Sequence, residues 1–482
     1  MIWIDVEDLF EYALHTRRPS GIQRIEYELC RALATLPESR ERVRFLRHSN
    51  PVGSFRPVEY QAIETLFEAL VGEASSDHGR ETARAGTAGP GGDTGASRRG
   101  VRGVFRRLAY RLPSDLRVPV LVAYQHQRAS IAMSRPAARA VSRIVRRAVR
   151  KAVARLPARH APGKTADRVG DHDSFDEAKP GDILLVLGSP WFQSHYADLI
   201  RRAQTRNGVR FALLVYDLIP LRRPEWCDAN LVAHFRSWFD AVLPLTDILL
   251  TISQASADDI LLHARAQALT LLAAPQVIRI GTGFSGIAGA ADALPARERS
   301  LPPVGGYVLI VSTIETRKNH LLLFRVWRRL LDEQPRDAVP TLVIAGRVGW
   351  LVADLMQQLR NAAYLGGKIV LIEDPSDQDL RQLYAGCLFT VFPSFYEGWG
   401  LPVTESLAFG RPCVISNATS LPEAGGTLAR YFDPDDLNEA YRVVRATIED
   451  REGLSSWQAR IAREFRSVSW KDSARSLLAC LK

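Results

Sequence analysis

The sequence predicts an α/β protein with two doubly wound parallel sheets, and three observations support this fold class. From Tyr307 onward, short apolar segments such as YVLIVST, TLVIAG, KIVLI and PCVIS alternate with amphipathic segments such as HLLLFRVWRRLL. Strands that are apolar on both faces, each followed by a helix, indicate a parallel sheet covered on both sides. The first half repeats this alternation less regularly, with IWID, FALLVY and DILLTIS. The length of 482 residues leaves room for two such domains.

Composition then divides the chain. We predict a first domain at residues 1–292, a second at residues 305–465 and a terminal helix at residues 466–482. The segment ALPARERSLPPVGG (293–306) suits a connection between the two domains, because prolines, glycines and charged residues dominate it. Residues from about 72 to 180 do not follow the alternation and contain low-complexity stretches such as AGTAGPGGDTGAS. We therefore interpret them as an insertion in the first domain.

The net charge of +10 is concentrated in this insertion. Residues 98–159 carry sixteen arginines and one lysine against a single acid, an excess of +16. Two segments, VRGVFRRLAYRL and AVSRIVRRAVRKAVARL, place apolar residues on one helical face and basic residues on another. Basic amphipathic helices are typical of segments that bind an anionic membrane surface; the alternative is a solvated insertion whose apolar faces pack on the protein. Nucleic acid binding is not expected, because no base-stacking pattern of interleaved aromatic residues is present.

Other features exclude whole classes of protein. The five cysteines are scattered and lack a CxxC pair, so neither a zinc site nor a disulfide framework is indicated. The N-terminal segment MIWIDVEDLFEYALHTRRPSG has acids where a signal peptide carries basic residues. The longest apolar segments, DILLVLG and VPVLVAY, are far shorter than the roughly 20 residues that a membrane-spanning helix needs. We therefore expect a cytoplasmic protein.

The segment EGWGLPVTE (397–405) follows the apolar run CLFTVFPS and is the first candidate site. Ligands of open α/β sheets bind beyond the carboxyl ends of the strands. Gly398 and Gly400 let backbone N–H groups approach a ligand, and Pro402 is expected to open a helix whose dipole favours an anion such as a diphosphate. Glu397 and Glu405 then need not share a face. The alternatives are a solvated loop acid for Glu397 and a dipole-complementing acid for Glu405.

Two further strand ends carry cations or glycines. Arg317 and Lys318 follow YVLIVST, and Gly346 and Arg347 follow TLVIA, so both pairs are expected at the edge where EGWGLPVTE lies. Arginine and lysine donate charge-assisted hydrogen bonds to phosphate oxygens. Either pair alone could consist of ordinary solvated residues. Three such clusters after three strands together predict an anion-binding cleft.

These motifs carry a family resemblance. EGWGLPVTE, TIETRKNH, AGRVGW and SGIQR resemble the retaining nucleotide-sugar glycosyltransferases of glycosyltransferase family four, also called group one, which have the GT-B architecture of two facing Rossmann-like domains. The resemblance is strong in residues 305–482, where it implies that the terminal helix crosses back to the first domain. It is weaker in residues 1–50 and 182–285 and absent in the insertion. VYDLIPLRRPEW and TIETRKNH look most like bacterial enzymes that transfer mannose or a related sugar.

The resemblance implies a role for each charged residue. Lys318, together with Arg317, would hold the donor diphosphate, while Glu405 would hydrogen-bond the nucleotide ribose. Glu397 would bind hydroxyls of the donor sugar. The cations and the helix N-terminus would stabilise the departing diphosphate in place of a metal ion, so no cofactor or metal is expected. The lack of an Asp-x-Asp motif agrees with this expectation.

The resemblance also implies backbone contacts to the same donor. N–H groups around Gly400 and Leu401 would meet the diphosphate or the sugar, and Gly398 would line the loop beside them. Gly21, in the SGIQR segment of the first domain, would close over the same groups. Gly346 completes the predicted set of donor-binding glycines.

Two positions depart from the family pattern. Many members have an arginine six residues before the lysine, where this chain has Ser312, so Arg317 or Arg347 would have to substitute for it. Many also have a histidine before the aspartate near the reacting sugar, where this chain has Tyr216 before Asp217. Asp217 could orient or deprotonate the acceptor hydroxyl, or could simply be a turn or N-cap residue.

The expected reaction is transfer of a hexosyl group, with retention, from a nucleoside-diphosphate sugar to a hydroxyl of a surface polysaccharide or glycolipid. Retention and the mannose-like donor are implied by the resemblance alone. A nucleotide-sugar epimerase or phosphorylase on the same architecture is one alternative. Another is a scaffold protein without catalytic activity, which is recruited to the inner face of the membrane by its basic insertion.

Overall fold

The computed structural model describes six stretches of the chain: residues 1–14, 19–48, 55–72, 174–193, 195–282 and 302–482. The basic segment at residues 98–159 lies outside the described residues, as do most of the predicted insertion and most of the predicted connection. One compact unit comprises residues 1–9, 17–75 and 173–482; the second comprises residues 10–16 and 76–172. Both sheets described below lie in the first unit.

The first sheet has seven strands in the order β3-β2-β1-β4-β5-β6-β7. All neighbours are parallel except β2 and β3, which pair antiparallel at one edge. Its strands are β1 Ile2–Asp5, β2 Val43–His48, β3 Phe55–Val58, β4 Ile183–Val186, β5 Arg210–Val215, β6 Ile248–Thr251 and β7 Gln276–Val277.

The second sheet has six strands, all parallel, in the order β10-β9-β8-β11-β12-β13. This order reverses direction between β8 and β11, which is the switch point where doubly wound sheets bind ligands. The predicted fold class of two Rossmann-like sheets is therefore confirmed. Its strands are β8 Tyr307–Val311, β9 Thr341–Ala345, β10 Ile369–Ile372, β11 Thr390–Phe392, β12 Cys413–Ser416 and β13 Ala429–Phe432.

The helices that connect these strands cover both faces of each sheet, as parallel sheets require. In chain order they are α1 Glu7–Ala13, α2 Gly21–Thr35, α3 Tyr60–Gly72, α4 Tyr196–Asn207, α5 Ile219–Arg222, α6 Ala229–Val242, α7 Gln254–Ala266, α8 His320–Glu333, α9 Ala353–Asn361, α10 Asp377–Gly386, α11 Leu401–Ala408, α12 Leu421–Gly425, α13 Leu437–Glu449, α14 Arg451–Glu464 and α15 Trp470–Cys480.

The strands of the second sheet are apolar on both faces because each face has its own core. Val308 and Ile310 belong to a large cluster with Trp327 of α8, whereas Leu309 belongs to a smaller cluster with Leu383 of α10. All five side chains are buried. Each buried side chain of this size contributes about 1.5–3 kcal/mol relative to exposure. This packing fixes the strand ends that carry the candidate site.

The last helix, α15, packs against the first domain. Arg475 forms an ion pair with Glu38 at 3.0 Å, and Thr282 N donates to the carbonyl of Val468 at 2.8 Å. The indole ring of Trp470 lies so close to Gly281 that an added Cβ would come within 2.4 Å of it. α15 begins where the Ser469 side chain accepts a hydrogen bond from a backbone N–H of its first turn.

Several elements differ from the sequence expectation. A helix, α1, lies between β1 and the SGIQR segment, which opens α2. The helix after the EGWG loop begins at Leu401 rather than at Pro402, because Gly400 with φ 122° is its N-cap. β3 and β13 had no predicted counterpart, because FRPV carries a proline and ARYF mixes polar with apolar residues.

Candidate active site

Glu397 is held between two cations that follow β8. Its Oε2 accepts a hydrogen bond from Arg317 Nη1 at 2.7 Å, and its Oε1 accepts one from Lys318 Nζ at 2.5 Å. Both cations lie in the 3-10 turn Thr316–Lys318. Arg317 Nη1 also donates to the carbonyl of Tyr396 at 2.7 Å. The structure therefore brings together the ends of β8 and β11, as the sequence predicts.

The charges of this cluster control the pKa of Glu397. Burial raises the pKa, but the charges of Arg317 and Lys318 outweigh burial and bring it to about 2. Arg317 shows the reciprocal effect: burial lowers its pKa, and the charges of Glu397 and Glu315 raise it above the ordinary arginine value. Glu397 is thus a carboxylate at neutral pH and accepts hydrogen bonds only.

The backbone of Glu397 is fixed by two hydroxyl groups that follow β12. The amide of Glu397 donates to Thr419 Oγ1 at 2.9 Å, and the same hydroxyl donates to the carbonyl of Glu397 at 3.1 Å. Ser420 Oγ lies 2.9 Å from that carbonyl and 2.8 Å from the carbonyl of Trp399. These hydrogen bonds therefore hold the backbone of the EGWG loop in place at Glu397 and Trp399.

Glu405, the fifth residue of α11, occupies a separate environment. Its Oε2 accepts a hydrogen bond from the Tyr384 hydroxyl at 2.9 Å, and its side chain is buried. Burial raises the pKa of Glu405, and the positive charge of Arg24 from the first domain partly opposes this rise. Glu397 and Glu405 thus have different partners, which fits the expectation that they do not share a face.

Loops of the two domains meet at Gly398. A Cβ added there would lie 2.6 Å from the carbonyl oxygen of Tyr216 and 3.0 Å from Asp217 Cβ, so only glycine fits. Gly21, the first residue of α2, faces Leu401, whose Cδ1 would be 3.9 Å from a Cβ at position 21. The predicted donor-binding positions Gly21, Gly398, Gly400 and Leu401 are therefore close to one another at the start of α11.

Asp217 lies in the turn between β5 and the short helix α5, which begins at Ile219. Its Oδ1 accepts a hydrogen bond from the amide of Ile219 at 3.0 Å, which is the turn role given above as the alternative. Burial raises the pKa of Asp217, while the charge of Arg317 lowers it in part. The carboxylate thus has a structural contact and lies next to the EGWG loop.

The third predicted cluster lies beside β8. Gly346 has φ 154°, and an added Cβ would be 1.9 Å from the carbonyl oxygen of Ser312, so packing alone requires glycine there. The carbonyl of Arg347 accepts a hydrogen bond from the amide of Ile314 at 2.9 Å. The Arg347 side chain is half-buried and forms no hydrogen bond or ion pair with the described residues. Among the described residues it is thus a cation without a partner at this sheet edge.

Ser312, where the family pattern has an arginine, takes part in a different contact. Its hydroxyl lies 3.1 Å from Nε2 of His320, the first residue of α8. Burial, helped by the charge of Lys318, lowers the pKa of His320 to about 3. His320 is therefore neutral at physiological pH and does not replace the missing cation.

Two polar contacts join the domains on either side of these loops. Arg24 of α2 forms a bidentate pair with Asp377 of α10, with nitrogen–oxygen distances of 2.9 and 3.3 Å. The carboxylate of Glu423 accepts hydrogen bonds from the amides of Gln254 and Ala255, the first two residues of α7, at 2.7 and 2.9 Å. Glu423 thus complements the N-terminal dipole of a helix in the other domain.

Sequence analysis missed several residues of this site. Thr419 and Ser420 follow β12, so the strand-end rule that found Lys318 would also have found them. Arg24 and Tyr384 lie inside helices of different domains and carry no local signal. Among the described residues, no group of three or more histidine, cysteine or acidic side chains could hold a metal ion, and no helix is both long and apolar enough to span a membrane.

Part of the chain that carries this site matches a known protein family. Residues 297–461, which contain the cation turn, the EGWG loop and α11, match the family model described as glycosyl transferases group 1. The resemblance to group 1 glycosyl transferases is confirmed. The matched segment contains every candidate residue of the second domain and none of the first.

The two relatives described next are bacterial proteins. The chain is similar to O-antigen chain mannosyltransferase B of Escherichia coli, with 32% identity over 40% of this chain and 50% of that protein. It is similar to the serotype-specific mannosyltransferase WbdA of Escherichia coli, with 27% identity over 56% of this chain and 33% of that protein. The chain thus spans half or less of the length of these relatives.

Among solved structures, the chain is similar to Anabaena Alr3699/HepE in complex with UDP and glucose. The identity is 16% and the TM-score 0.44, over 62% of this chain and 77% of that chain.

Proposed function

We propose that the protein is a glycosyltransferase that transfers a hexosyl group from a nucleoside-diphosphate sugar to a hydroxyl of a polysaccharide or glycolipid. The observation that carries this proposal is the pairing of Lys318 with Glu397 beside the N-terminus of α11, within a segment that matches group 1 glycosyl transferases. The two relatives named as mannosyltransferases support a mannose-like donor, and the one named for the O-antigen chain supports a surface-polysaccharide acceptor.

The proposed donor lies with its diphosphate at the N-terminus of α11. The amides near Gly400 and Leu401 and the helix dipole favour an anion there. Lys318 donates to a phosphate oxygen, and Arg347, which has no partner among the described residues, supplies a second cation in place of the one missing at Ser312. Stabilising the departing diphosphate in this way requires no metal ion.

The two glutamates take different parts of the donor. Glu405, which already accepts a hydrogen bond from Tyr384, is proposed to accept one from the ribose. Glu397, a carboxylate at neutral pH, is proposed to accept hydrogen bonds from hydroxyls of the sugar. Positioning of this kind contributes to rate by holding the reacting atoms together.

The first domain provides the acceptor side. Asp217 lies against the EGWG loop and has a raised pKa, which favours proton uptake from an acceptor hydroxyl. Gly21 closes over the donor from the start of α2. Retention at the anomeric carbon is proposed from the family resemblance alone.

The test is a transfer assay with a panel of donors, including GDP-mannose, UDP-glucose and UDP-galactose, and with a mannan oligosaccharide and a lipid-linked glycan as acceptors. We expect transfer from one donor, loss of transfer in Lys318→Ala, and a product whose anomeric configuration by NMR matches that of the donor. Isomerised sugar nucleotide without acceptor would indicate an epimerase instead. The proposal fails if no donor raises the melting temperature and none is consumed.

A further inference from the structure

Arg317 and Lys318 are neighbours in sequence, but the structure gives them different partners. The guanidinium of Arg317 donates from Nη1 to Glu397 Oε2 and to the carbonyl of Tyr396, both at 2.7 Å, and from Nη2 to Glu315 Oε1 at 2.6 Å. Its side chain is 17% exposed and that of Glu315 is 5% exposed. Both guanidinium amino groups are therefore engaged by buried acceptors of the protein.

Lys318 has a simpler environment. Its ammonium carries three donors, and its hydrogen bond within the described residues is the one to Glu397 Oε1 at 2.5 Å. A phosphate oxygen can therefore accept a hydrogen bond from one of the remaining N–H groups of Lys318. It can also replace the Glu397 carboxylate, because Lys318 has no contact with a second acid among the described residues.

The same replacement at Arg317 is unfavourable. A ligand that drew the guanidinium away would leave the buried carboxylate of Glu315 without its cation and would remove one of the two cations at Glu397, which is strongly destabilising. The Arg317 side chain also joins the ends of β8 and β11, because its Nη1 donates to the carbonyl of Tyr396 at 2.7 Å. The planar fork of arginine suits this fixed, several-way contact better than a lysine would.

We propose that Arg317 is a positioning residue that holds Glu397 against the donor sugar, with Glu315 as its own anchor, and that Lys318 alone of this pair binds the diphosphate. This inference rests on the proposed function and reassigns Arg317 from the donor-binding set that the family resemblance implies. When the donor enters, Lys318 exchanges its carboxylate for phosphate and Arg317 keeps Glu397 in place.

The test compares Arg317→Gln with Lys318→Gln, which remove the same charge one residue apart. Arg329→Gln is the matched control, because it removes an exposed arginine–glutamate pair on α8 of the same domain. For Arg317→Gln we expect the dissociation constants of GDP and UDP to change by less than about 3-fold while kcat falls about 100-fold or more. For Lys318→Gln we expect nucleotide binding to weaken about 10-fold or more.

Two further variants keep the proposal falsifiable if Arg317→Gln is unstable. Arg317→Lys retains the charge but not the fork, and should bind nucleotide normally with low kcat. Arg317→Gln combined with Glu315→Gln should regain stability without regaining turnover. Full recovery of turnover in the double variant would mean that Arg317 only neutralises Glu315, and equal weakening of GDP binding by Arg317→Gln and Lys318→Gln would make Arg317 a phosphate ligand; either result overturns the proposal.

A double-mutant cycle separates this inference from the proposed function. If the wild type neither binds GDP or UDP nor transfers sugar, the proposed function fails, and the positioning contact is judged from the unfolding free energies of Arg317→Gln, Glu397→Gln and both together. We expect the two substitutions to be non-additive, as they are for groups in direct contact. Additive effects would overturn the positioning role.

Discussion

The side chain of Glu397 is 12% exposed and pairs with two cations, which bring its pKa to about 2, so its ionisation affects the stability of the fold at acid pH. Because the pKa is lower in the folded protein than the ordinary value of 4.5, ionised Glu397 stabilises the fold above pH 4.5, and this contribution is lost as the pH falls from 4.5 towards 2. Glu397→Gln should therefore flatten the dependence of unfolding free energy on pH in this window. An unchanged slope by chemical denaturation would contradict the pairing.

Glu397→Gln should also lower turnover more than nucleotide affinity. The amide cannot accept hydrogen bonds at both of its polar atoms, so contact with the sugar is weakened while the diphosphate site remains. Steady-state kinetics together with calorimetry of GDP and UDP binding would separate the two effects. Weaker nucleotide binding with normal kcat would place Glu397 outside the sugar site.

Lys318→Ala tests the diphosphate contact. A charge-assisted hydrogen bond to phosphate is worth roughly 1.5–3 kcal/mol, so donor affinity and kcat/KM should fall together by about 10- to 150-fold. The surface lysine Lys471, on α15, gives a control in which the same substitution should leave both unchanged. Unaltered donor kinetics in Lys318→Ala would remove it from the site.

At the scale of elements, the EGWG loop depends on close backbone contact with the end of β5. In Gly398→Ala, the new methyl group would meet the carbonyl of Tyr216 at 2.6 Å, so the loop must shift. Overpacking of this kind costs about 1–3 kcal/mol, and we expect kcat/KM to fall by at least about 10-fold because the shift moves Glu397. The measurement is kinetics alongside thermal unfolding.

Gly410→Ala is the control for this prediction. Gly410 has φ 67° with open space around it, so alanine there adds backbone strain without a clash. It should lower stability without the loss of kcat/KM. If both variants lose activity in proportion to stability, the contact with Tyr216 has no separate effect on the site.

The strands differ in how clearly the sequence predicts them, and this difference explains why only part of the site was predicted. Strands such as β8 and β9 are apolar on both faces, so their alternation and the polar residues after them are visible in the sequence. β13 lacks such a pattern, because its first three residues are partly exposed at a sheet edge and Phe432 is the buried one. The sequence predicts that the charged residues after β8 and β11 lie close together. It does not predict the three hydrogen bonds that the Arg317 side chain donates, because these depend on side-chain rotamers, which a sequence pattern does not encode.

At the scale of the whole molecule, Glu423 joins the domains by capping α7. In Glu423→Gln the charge at the helix N-terminus is lost, which weakens the contact by about 0.3–1 kcal/mol. Amide hydrogen exchange at Gln254 and Ala255 should therefore accelerate by roughly 2- to 5-fold. Glu333→Gln, which removes two exposed ion pairs within one domain, should leave the exchange of these amides unchanged. Equal exchange in Glu423→Gln and wild type would show that the contact is not maintained in solution.

The basic segment at residues 98–159 has no part in the proposed donor site. If its excess of +16 acts on a membrane, the protein should sediment with vesicles of phosphatidylglycerol and not of phosphatidylcholine, and salt should weaken the binding. Deleting residues 85–165 should abolish sedimentation and leave nucleotide binding intact. A deletion variant that still sediments would place membrane binding elsewhere, and a wild type that never sediments would favour the solvated-insertion alternative.

The packing of α15 on the first domain has a consequence for synthesis on the ribosome. The amide of Arg279 donates to Ser476 Oγ, 197 residues later in the chain. At roughly 5–20 residues per second, translation of that interval takes roughly 10 to 40 s. During this time the first domain is complete except for the helix that covers Gly281 and α2. The surface that α15 covers in the folded protein is therefore exposed on the nascent chain while the residues of the second domain are synthesised.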